Sequence, residues 1–367
     1  MSDADGVEVR PAAAADEPDI RRLVGVTPMP GAVAVRFARE PDYFLGTTIM
    51  GDPCDVLVGR AADGRLAGIA CRAERRAYVN GVETRIGYIG QIRLADGFRG
   101  RWLLHQGMSA FRALSPPGML YAGVVARENP RARGVLLGDR SPGGLRSVRL
   151  AGLTTCAILL RPRRPARAAG VELTTAAETG LDPVVAFLRT EGPRRQLFPA
   201  YDVADFTGGA TMRGLSAGDI TVATRSGSVV GVMAAWDQAA YKQDIVDAYG
   251  PSLRRLRPAW DVAARLIGAQ PLTPPGAAIA LAFAACTCVA GDDPDVMRAL
   301  LGAATARARA MGKAFLMLGL ADDDPLLRVA RPWLHVTYHS DLFLLAWDVD
   351  PTAAVDGRLP YIEVATL

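Results

Sequence analysis

Hydrophobic and polar residues alternate over several short runs in the first half of the chain, which is the pattern of strands with one buried face. Three such runs lie at 55–61, 65–78 and 83–94. The pairs Asp63-Gly64 and Asn80-Gly81 separate them, and both pairs readily adopt the positive φ of a tight hairpin turn. We therefore predict an antiparallel meander of three strands.

Further strands and helices are predicted on both sides of this meander. Before it, the pattern predicts a short strand at 7–11 and a helix that starts at 15–19 with acidic residues in its first turn. A second helix is predicted at 35–45. After it, the pattern predicts a helix at 101–114, a strand at 119–125, a helix at 129–137 and a closing strand at 153–160.

The second half of the chain repeats this order. In each half a hairpin glycine is followed four residues later by another glycine, at Gly64 and Gly68 and again at Gly227 and Gly231. The pattern predicts a strand at 277–290, a helix at 295–311 and a strand at 314–320. A short helix at 325–330 and a final pair of strands at 335–347 follow. A helical insertion at 238–270 has no counterpart in the first half. The repeated order indicates a duplicated fold.

The segment 161–170 is rich in arginine and proline, which is typical of an extended, solvated linker rather than of a basic patch. We predict an α+β protein with two similar domains, each a mostly antiparallel mixed sheet flanked by helices. We predict a first domain at 1–163, a linker at 164–170, a second domain at 171–350 and a tail at 351–367.

Composition excludes several classes of function. A net charge of +4 over 367 residues is too small to indicate nucleic-acid binding. No uninterrupted apolar run reaches the roughly 18 residues of a membrane span, and the first residues lack the apolar segment of a signal peptide. The five cysteines lack a second Cys or His pair at zinc-site spacing. We expect a cytoplasmic protein that binds no metal, membrane or nucleic acid.

A basic turn joins a predicted strand to a predicted helix in the run from Gln91 to Leu104, QIRLADGFRGRWLL. This run resembles the Q/R-x-x-G-x-G/A signature of the GNAT superfamily, the GCN5-related N-acetyltransferases. Arg99 takes the first position, and Trp102 and Leu104 stand where the family has glycines. The order of predicted elements in the first half also resembles this superfamily.

The resemblance implies a binding site for acetyl-CoA or another acyl-CoA as co-substrate. A helix N-terminus offers free N–H groups and partial positive charge to a pyrophosphate, and arginines add charged donors. The run from Asn129 to Ala132 resembles the family's Asn-x-x-Ala element, although the tyrosine that often follows it is absent. The cofactor-binding residues so implied are Ile92, Arg93, Leu94, Arg99, Gly100, Arg101, Trp102, Leu103, Leu104 and Asn129.

The corresponding turn of the second half, 290–295, contains three aspartates. Their charge would repel a pyrophosphate. We therefore expect the second half to be a cofactor-free copy that stabilises the first half and shapes the acceptor cleft.

Transfer to an amine requires removal of a proton, which a general base would accept. By alternation, Ile86, Tyr88, Gly90 and Ile92 share one face of the central strand, and Tyr88 is the ionisable residue among them. A packed strand tyrosine is the alternative. Glu83, at the start of this strand, is a second candidate, with an exposed hairpin residue as its alternative.

The resemblance also implies residues that line the acceptor site. In the family this site is lined by the region of the predicted second helix, which here carries Arg36, Glu40 and Tyr43. A solvated helix face is the alternative for these residues.

The segment 359–367 is apolar, which is typical of a docked tail. Some two-copy members of the family place a terminal carboxylate in the active site, which implies Glu363 or the carboxylate of Leu367 as the base. Packing of the tail between the two domains is the alternative.

These features together favour an acyl-CoA-dependent N-acyltransferase, with acetyl-CoA as donor and a small-molecule or amino-acid-like amine as acceptor. One alternative is a non-catalytic protein of the same fold that binds acyl-CoA or another ligand. A second alternative is an N-acetyltransferase acting on proteins or peptides. A homodimer is left open.

Overall fold

The computed structural model describes residues 6–29, 31, 33–98, 101–137, 142–164 and 168–367, with the side chain of Arg101 left out. The first half forms β1 (Glu8–Pro11), α1 (Glu17–Val26), β2 (Val33–Ala38), α2 (Tyr43–Thr47), β3 (Cys54–Arg60), β4 (Leu66–Val79), β5 (Val82–Leu94), α3 (Arg101–Leu114), β6 (Tyr121–Ala126), α4 (Pro130–Leu137) and β7 (Arg146–Leu159).

The second half repeats most of this order and adds an insertion. Its elements are β8 (Glu172–Thr175), α5 (Ala176–Thr179), α6 (Leu181–Glu191), α7 (Val203–Phe206), β9 (Ile220–Arg225), β10 (Ser228–Trp236), β11 (Gln243–Tyr249), α8 (Pro251–Leu266), β12 (Leu281–Val289), α9 (Pro294–Ala310), β13 (Phe315–Ala321) and β14 (His335–Ala346). None of the helices that the structure describes is long and apolar enough to cross a membrane.

One 12-stranded sheet runs through both halves in the order β1-β3-β4-β5-β6-β14-β7-β13-β12-β10-β9-β8. Among its described strands, β5–β6 and β12–β13 pair in parallel and the other neighbours pair antiparallel. The order is symmetric about the β14–β7 pair. β14, the last strand of the second half, pairs with β6 of the first half, and β7, the last strand of the first half, pairs with β13 of the second. This mixed, mostly antiparallel sheet flanked by helices confirms the predicted fold class.

The exchanged strands contribute to both cores. Leu342 and Leu344 of β14 are fully buried with the first-half residues Ile20 and Ile86. Ile158 of β7 is buried in the core of the second half. Because each core contains a strand from the other half, the two halves interlock and bury apolar surface together.

The two halves match at the level of backbone conformation. The hairpin glycines Gly64 and Gly227 have φ of +85° and +79°, as the turn pattern predicts. Gly68 and Gly231 lie opposite the ends of β5 and β12. A Cβ on Gly231 would come 2.8 Å from side-chain atoms of α9, so the glycine lets this helix pack close to the sheet.

The predicted second helix at 35–45 is wrong in its first part, because residues Val33–Ala38 form β2. Only α2, a short helix from Tyr43 to Thr47, is helical there. The insertion at 238–270 is also less helical than predicted, since it contains β11 before α8. β2 and β11 pair with each other in a separate two-stranded sheet. A partner strand more than 200 residues away therefore decides the conformation of β2.

The final pair of strands predicted at 335–347 is one continuous strand, β14. It pairs with β6 on one side and with β7 on the other. The predicted closing strand at 153–160 likewise begins earlier, because β7 starts at Arg146.

Candidate active site

The central sheet opens between β5 and β6. These parallel strands pair at Gly87–Tyr121 and at Tyr88–Ala122, and their ladder then ends. The other edge of β6 stays paired with β14 from Tyr121 to Ala126. The opening therefore forms because β5 diverges from β6. Helix α3 starts seven residues after β5 ends. A helix N-terminus therefore follows the opening closely in sequence.

A β-bulge lies in β5 at this opening. Ile69 pairs with Arg93 and Cys71 pairs with Gly90, so Gln91 and Ile92 together face a single residue of β4. Gln91 has φ of +53°, a conformation that is uncommon for a residue with a side chain. Its side-chain Oε1 is buried and has no hydrogen-bond partner within the described part of the chain. Bulges of this kind redirect side chains next to functional sites.

The bulge reverses the alternation that the sequence predicted for β5. Ile86 and Tyr88 pack in one core, and beyond the bulge Arg93 lies on their face, with its guanidinium 5.5 Å from the ring centre of Phe37. Leu94 packs on the opposite face. Ile92 therefore shares the face of Leu94, and its predicted place beside Tyr88 is wrong.

Tyr88 lies directly over Gly90. A Cβ on Gly90 would come 2.8 Å from the Tyr88 hydroxyl oxygen, so the ring reaches along the strand toward the bulge. Tyr88 is buried, and burial raises the pKa of its hydroxyl to about 12. The hydroxyl is therefore protonated at neutral pH, which favours a proton donor rather than the predicted base.

The second half has the same opening and the same bulge. The β12–β13 ladder ends after Phe283–Met317, and Cys286, with φ of +52°, occupies the position of Gln91. Here the tail fills the bulge, because Oε2 of Glu363 accepts a hydrogen bond of 2.8 Å from the Cys286 N–H. The hydroxyls of Tyr201 and Tyr361 donate to the same oxygen at 3.1 and 2.9 Å.

The tail also narrows the opening of the second half. The remaining cavity has a volume of about 190 Å³ and is lined in part by Thr287, Cys288, Leu320 and Tyr361. Ligand pockets commonly begin near roughly 300 Å³, so little room for a pantetheine arm is left there.

This geometry can be compared with that of known proteins. No family model and no curated protein sequence matches the chain. A solved GCN5-related N-acetyltransferase from Sphaerobacter thermophilus is similar to it, with a TM-score of 0.56, 16% identity and 99% of each chain covered. Saccharomyces cerevisiae N-myristoyltransferase with bound myristoyl-CoA superimposes with a TM-score of 0.59 at 9% identity, over 96% of this chain and 87% of that one.

A third similar structure is a GCN5-related glucosamine N-acetyltransferase region of a fungal multi-domain GH3 β-N-acetylglucosaminidase. It has a TM-score of 0.57 and 12% identity, covering 93% of this chain and 38% of the other. This chain has the GNAT fold. It contains two copies of that fold, since both halves share strand order, splayed strands and bulge.

The residues implied to bind acyl-CoA in this GNAT fold lie in and after β5. Arg99, Gly100 and the side chain of Arg101 lie outside the described residues. Trp102 is 38% exposed, so it does not occupy the core under α3, whereas Leu103 is buried there. Leu104 packs toward the core on the other side of α3.

Asn129 has a structural role in the GNAT fold. Its side-chain oxygen accepts a hydrogen bond of 3.0 Å from the Ala132 N–H, which caps α4. The cap holds α4 beside the C-terminal end of β6.

The residues implied to line the acceptor site lie on β2, on the following loop and at the start of α2, so they do not form the solvated helix face that was the alternative. Arg36 lies on β2 and forms an ion pair of 3.2 Å with Asp247 of β11. Glu40 pairs with Arg21 of α1. Tyr43 is fully buried, with its hydroxyl 3.1 Å from Sγ of Cys71.

Neither Glu83 nor Glu363 lies at the bulge of β5. Glu83 is at the far end of that strand, where it pairs with Arg76 at 2.9 Å. Gly90 lies seven positions further along the strand, a distance of about 23 Å. Glu363 is bound at the bulge of the other half. The geometry therefore favours neither residue as the base of the first half.

Lys242 connects the end of the tail to the first half, and sequence reasoning missed it. Its buried Nζ donates to the main-chain oxygens of Ala365 and Leu367 at 3.0 and 2.8 Å, and Leu367 packs against the first-half core. Burial, with the nearby Arg39, lowers the pKa of Lys242 to about 7. One signal was available, because Lys242 and Lys313 are the only lysines among 42 basic residues.

The free energy of unfolding is expected to rise with pH between about 7 and about 10.5 because of Lys242. The native state releases the Lys242 proton near pH 7, whereas the unfolded chain keeps it to about 10.5. Since the unfolded state then binds more protons, raising the pH stabilises the native state, by at most about 1.4 kcal/mol per pH unit.

Urea denaturation of the wild type and of Lys242→Met between about pH 6 and pH 9.5 measures this contribution. The variant should lack the rise. Lys313→Met is the matched control, because Lys313 pairs with Asp237 at 2.6 Å, and it should keep the rise. Parallel profiles for the wild type and Lys242→Met would contradict the prediction.

Proposed function

We propose that the protein is an acyl-CoA-dependent N-acyltransferase that transfers an acetyl group from acetyl-CoA to a small-molecule amine. The observation that supports this best is the pair of equivalent bulges. In the second half the bulge amide already binds a carboxylate oxygen at 2.8 Å. The same backbone conformation at Gln91 supports binding of the thioester oxygen in the first half, where negative charge develops during transfer.

The residues around the opening fit an acyl-CoA. The start of α3 with Arg99, Gly100 and Arg101 binds the pyrophosphate through N–H groups and positive charge. Ile92, Arg93 and Leu94 lie along β5 where it leaves β6, so their main chain is available to a pantetheine arm. The first half alone acts in transfer, since the tail fills the opening of the second half.

The reaction is a direct attack of the amine on the thioester carbonyl, after which the carbon–sulfur bond breaks. The Gln91 amide stabilises the developing oxyanion, and the Tyr88 hydroxyl donates a proton to the leaving sulfur. The predicted carboxylate of Leu367 takes the amine proton. Its main-chain oxygen is held by Lys242, and its side chain packs against the first-half core.

Acyl-CoA binding without transfer is the second candidate. Trp102 and Leu104 replace the glycines of the family signature, and no tyrosine follows Asn129 at the expected place. Transfer to a protein or peptide amine is a further alternative, which turnover of peptides but not of small amines would favour.

Wild-type protein is expected to bind acetyl-CoA in calorimetry, and Arg99→Ala to bind it about tenfold more weakly. A charge-assisted hydrogen bond contributes about 1.5–3 kcal/mol, and a tenfold change corresponds to about 1.4 kcal/mol. Arg22→Ala is the control, because Arg22 is exposed on α1 and pairs with Asp19 there.

The same titration with longer acyl-CoAs tests the acyl chain. Failure of the wild type to bind any acyl-CoA would overturn the proposal. If binding occurs, release of free thiol across a panel of amines separates transfer from binding alone.

A further inference from the structure

Two arginines, the buried Arg39 and the half-buried Arg93, lie near the bulge of β5 without an ion-pair partner among the described residues. Arg39 is 3% exposed, and it donates a hydrogen bond of 2.8 Å to the neighbouring Ala38 carbonyl. The half-buried Arg93 donates to the neighbouring Ile92 carbonyl at 3.0 Å. Over the ranges described, neither guanidinium forms an ion pair with an aspartate or glutamate, although Asp244 interacts with Arg39 at longer range.

These two arginines differ from Arg72 of the first half in their charged partners. Arg72 is also buried, but it pairs with both Asp55 and Glu74. Burial lowers the pKa of Arg39 and Arg93. Removing a charge from water without a counterion is strongly unfavourable. No ion pair within the described residues compensates these two guanidiniums, so a bound anion would stabilise them.

Both guanidiniums face the same small region. Their carbon atoms lie 5.6 and 5.5 Å from the centre of the Phe37 ring, and Phe37 packs on the core that contains Tyr43 and Tyr88. Arg93 is two residues beyond Gln91. The anion would therefore lie on the Tyr88 face of the bulge, next to the carbonyl that an amine attacks.

One acid stands opposite the two arginines. Asp244 of β11 is in register with Phe37 of β2. Its Oδ1 is buried and accepts no hydrogen bond from the described residues. An unpartnered carboxylate oxygen is suited to an N–H donor, and the ammonium form of an amine supplies one.

We propose that the acceptor is an amine that also carries a carboxylate, with the carboxylate bound at Arg39 and Arg93 and the ammonium group at Asp244. This inference rests on the proposed transferase function and names its substrate class. Arginine presents a planar pair of donors that matches a carboxylate in a bidentate way. Asp244 faces both Arg39 and the buried Lys242, so positive charge is in excess here and favours a bound carboxylate.

The test compares the standard amino acids with their carboxamides and their decarboxylated amines. Free-thiol release with acetyl-CoA gives kcat/KM for each, and calorimetry in the presence of CoA gives the affinity for the corresponding N-acetyl amino acids. The wild type should prefer at least one acid over its carboxamide by about tenfold or more.

Arg39→Gln and Arg93→Gln should reduce that preference to about twofold or less while the carboxamides are still used. Arg93 is half-buried, so its variant tests the proposal if Arg39→Gln does not fold. Arg22→Gln, an exposed arginine on α1, should keep the preference of the wild type.

Equal use of acids and carboxamides, or no affinity for any carboxylate, overturns the proposal. A preference for phosphoethanolamine over every amino acid also overturns it, because the anion would then be a phosphate. Failure of the wild type to bind acetyl-CoA would instead overturn the transferase function itself.

Discussion

Glu363→Ala is expected to lower the free energy of unfolding by about 4 kcal/mol. The substitution leaves the Cys286 N–H and the hydroxyls of Tyr201 and Tyr361 buried without the acceptor that they share. Each buried donor without a partner costs about 1–3 kcal/mol. Burial raises the pKa of Glu363, so removing this costly carboxylate offsets part of the loss.

Urea denaturation at neutral pH measures the difference. Glu83→Ala is the matched control, since Glu83 is exposed and pairs with Arg76 on the surface. Exposed pairs contribute about 0–1 kcal/mol, so the control should change stability by less than about 1 kcal/mol. A loss below about 1 kcal/mol for Glu363→Ala would show that the tail does not stabilise the second half through this carboxylate.

Gly90→Ala is expected to lower kcat/KM about 100-fold while acetyl-CoA still binds. The new Cβ would come 2.8 Å from the hydroxyl oxygen of Tyr88, so the ring has to leave its place over the bulge. A displacement of about 1 Å in a reacting group can lower the rate about 100-fold.

Thiol-release kinetics and calorimetry separate the two effects. Gly25→Ala in α1 is the control, because a Cβ there has no atom within 4 Å. It should keep full activity and gain about 0.5–1 kcal/mol of stability. Unchanged kcat/KM in Gly90→Ala would remove Tyr88 from the proposed mechanism.

Several features of the candidate site were accessible from the sequence. The helix at 101–114 matches the bounds of α3, and it follows β5 as predicted. Tyr88 was singled out by its place on the central strand, and it does lie at the bulge. Gln91 and Asp244 were not identified as site residues, although Gln91 opens the run that resembles the family signature. Gln91 becomes a site residue because it lies in the bulge of β5. Asp244 becomes one because its buried Oδ1 has no hydrogen-bond partner among the described residues.

The duplication was visible only in part. The glycine spacing that relates Gly64 and Gly68 to Gly227 and Gly231 survives in both halves, because tight turns and close helix packing tolerate few other residues. The bulges at Gln91 and Cys286 match equally well in conformation. Their residue types differ, so sequence comparison does not relate them.

The sequence by itself determined the local elements, namely the hairpins of the meander, the helices α3 and α9, and the repeated order of strands. These depend on turn chemistry and on the period of apolar residues over a few positions. Tertiary structure alone decided that β2 is a strand, that β14 lies between β6 and β7, and that Glu363 fills the bulge of the second half. Each of these depends on a contact between residues far apart in the chain, and the period of a local pattern carries no information about such partners.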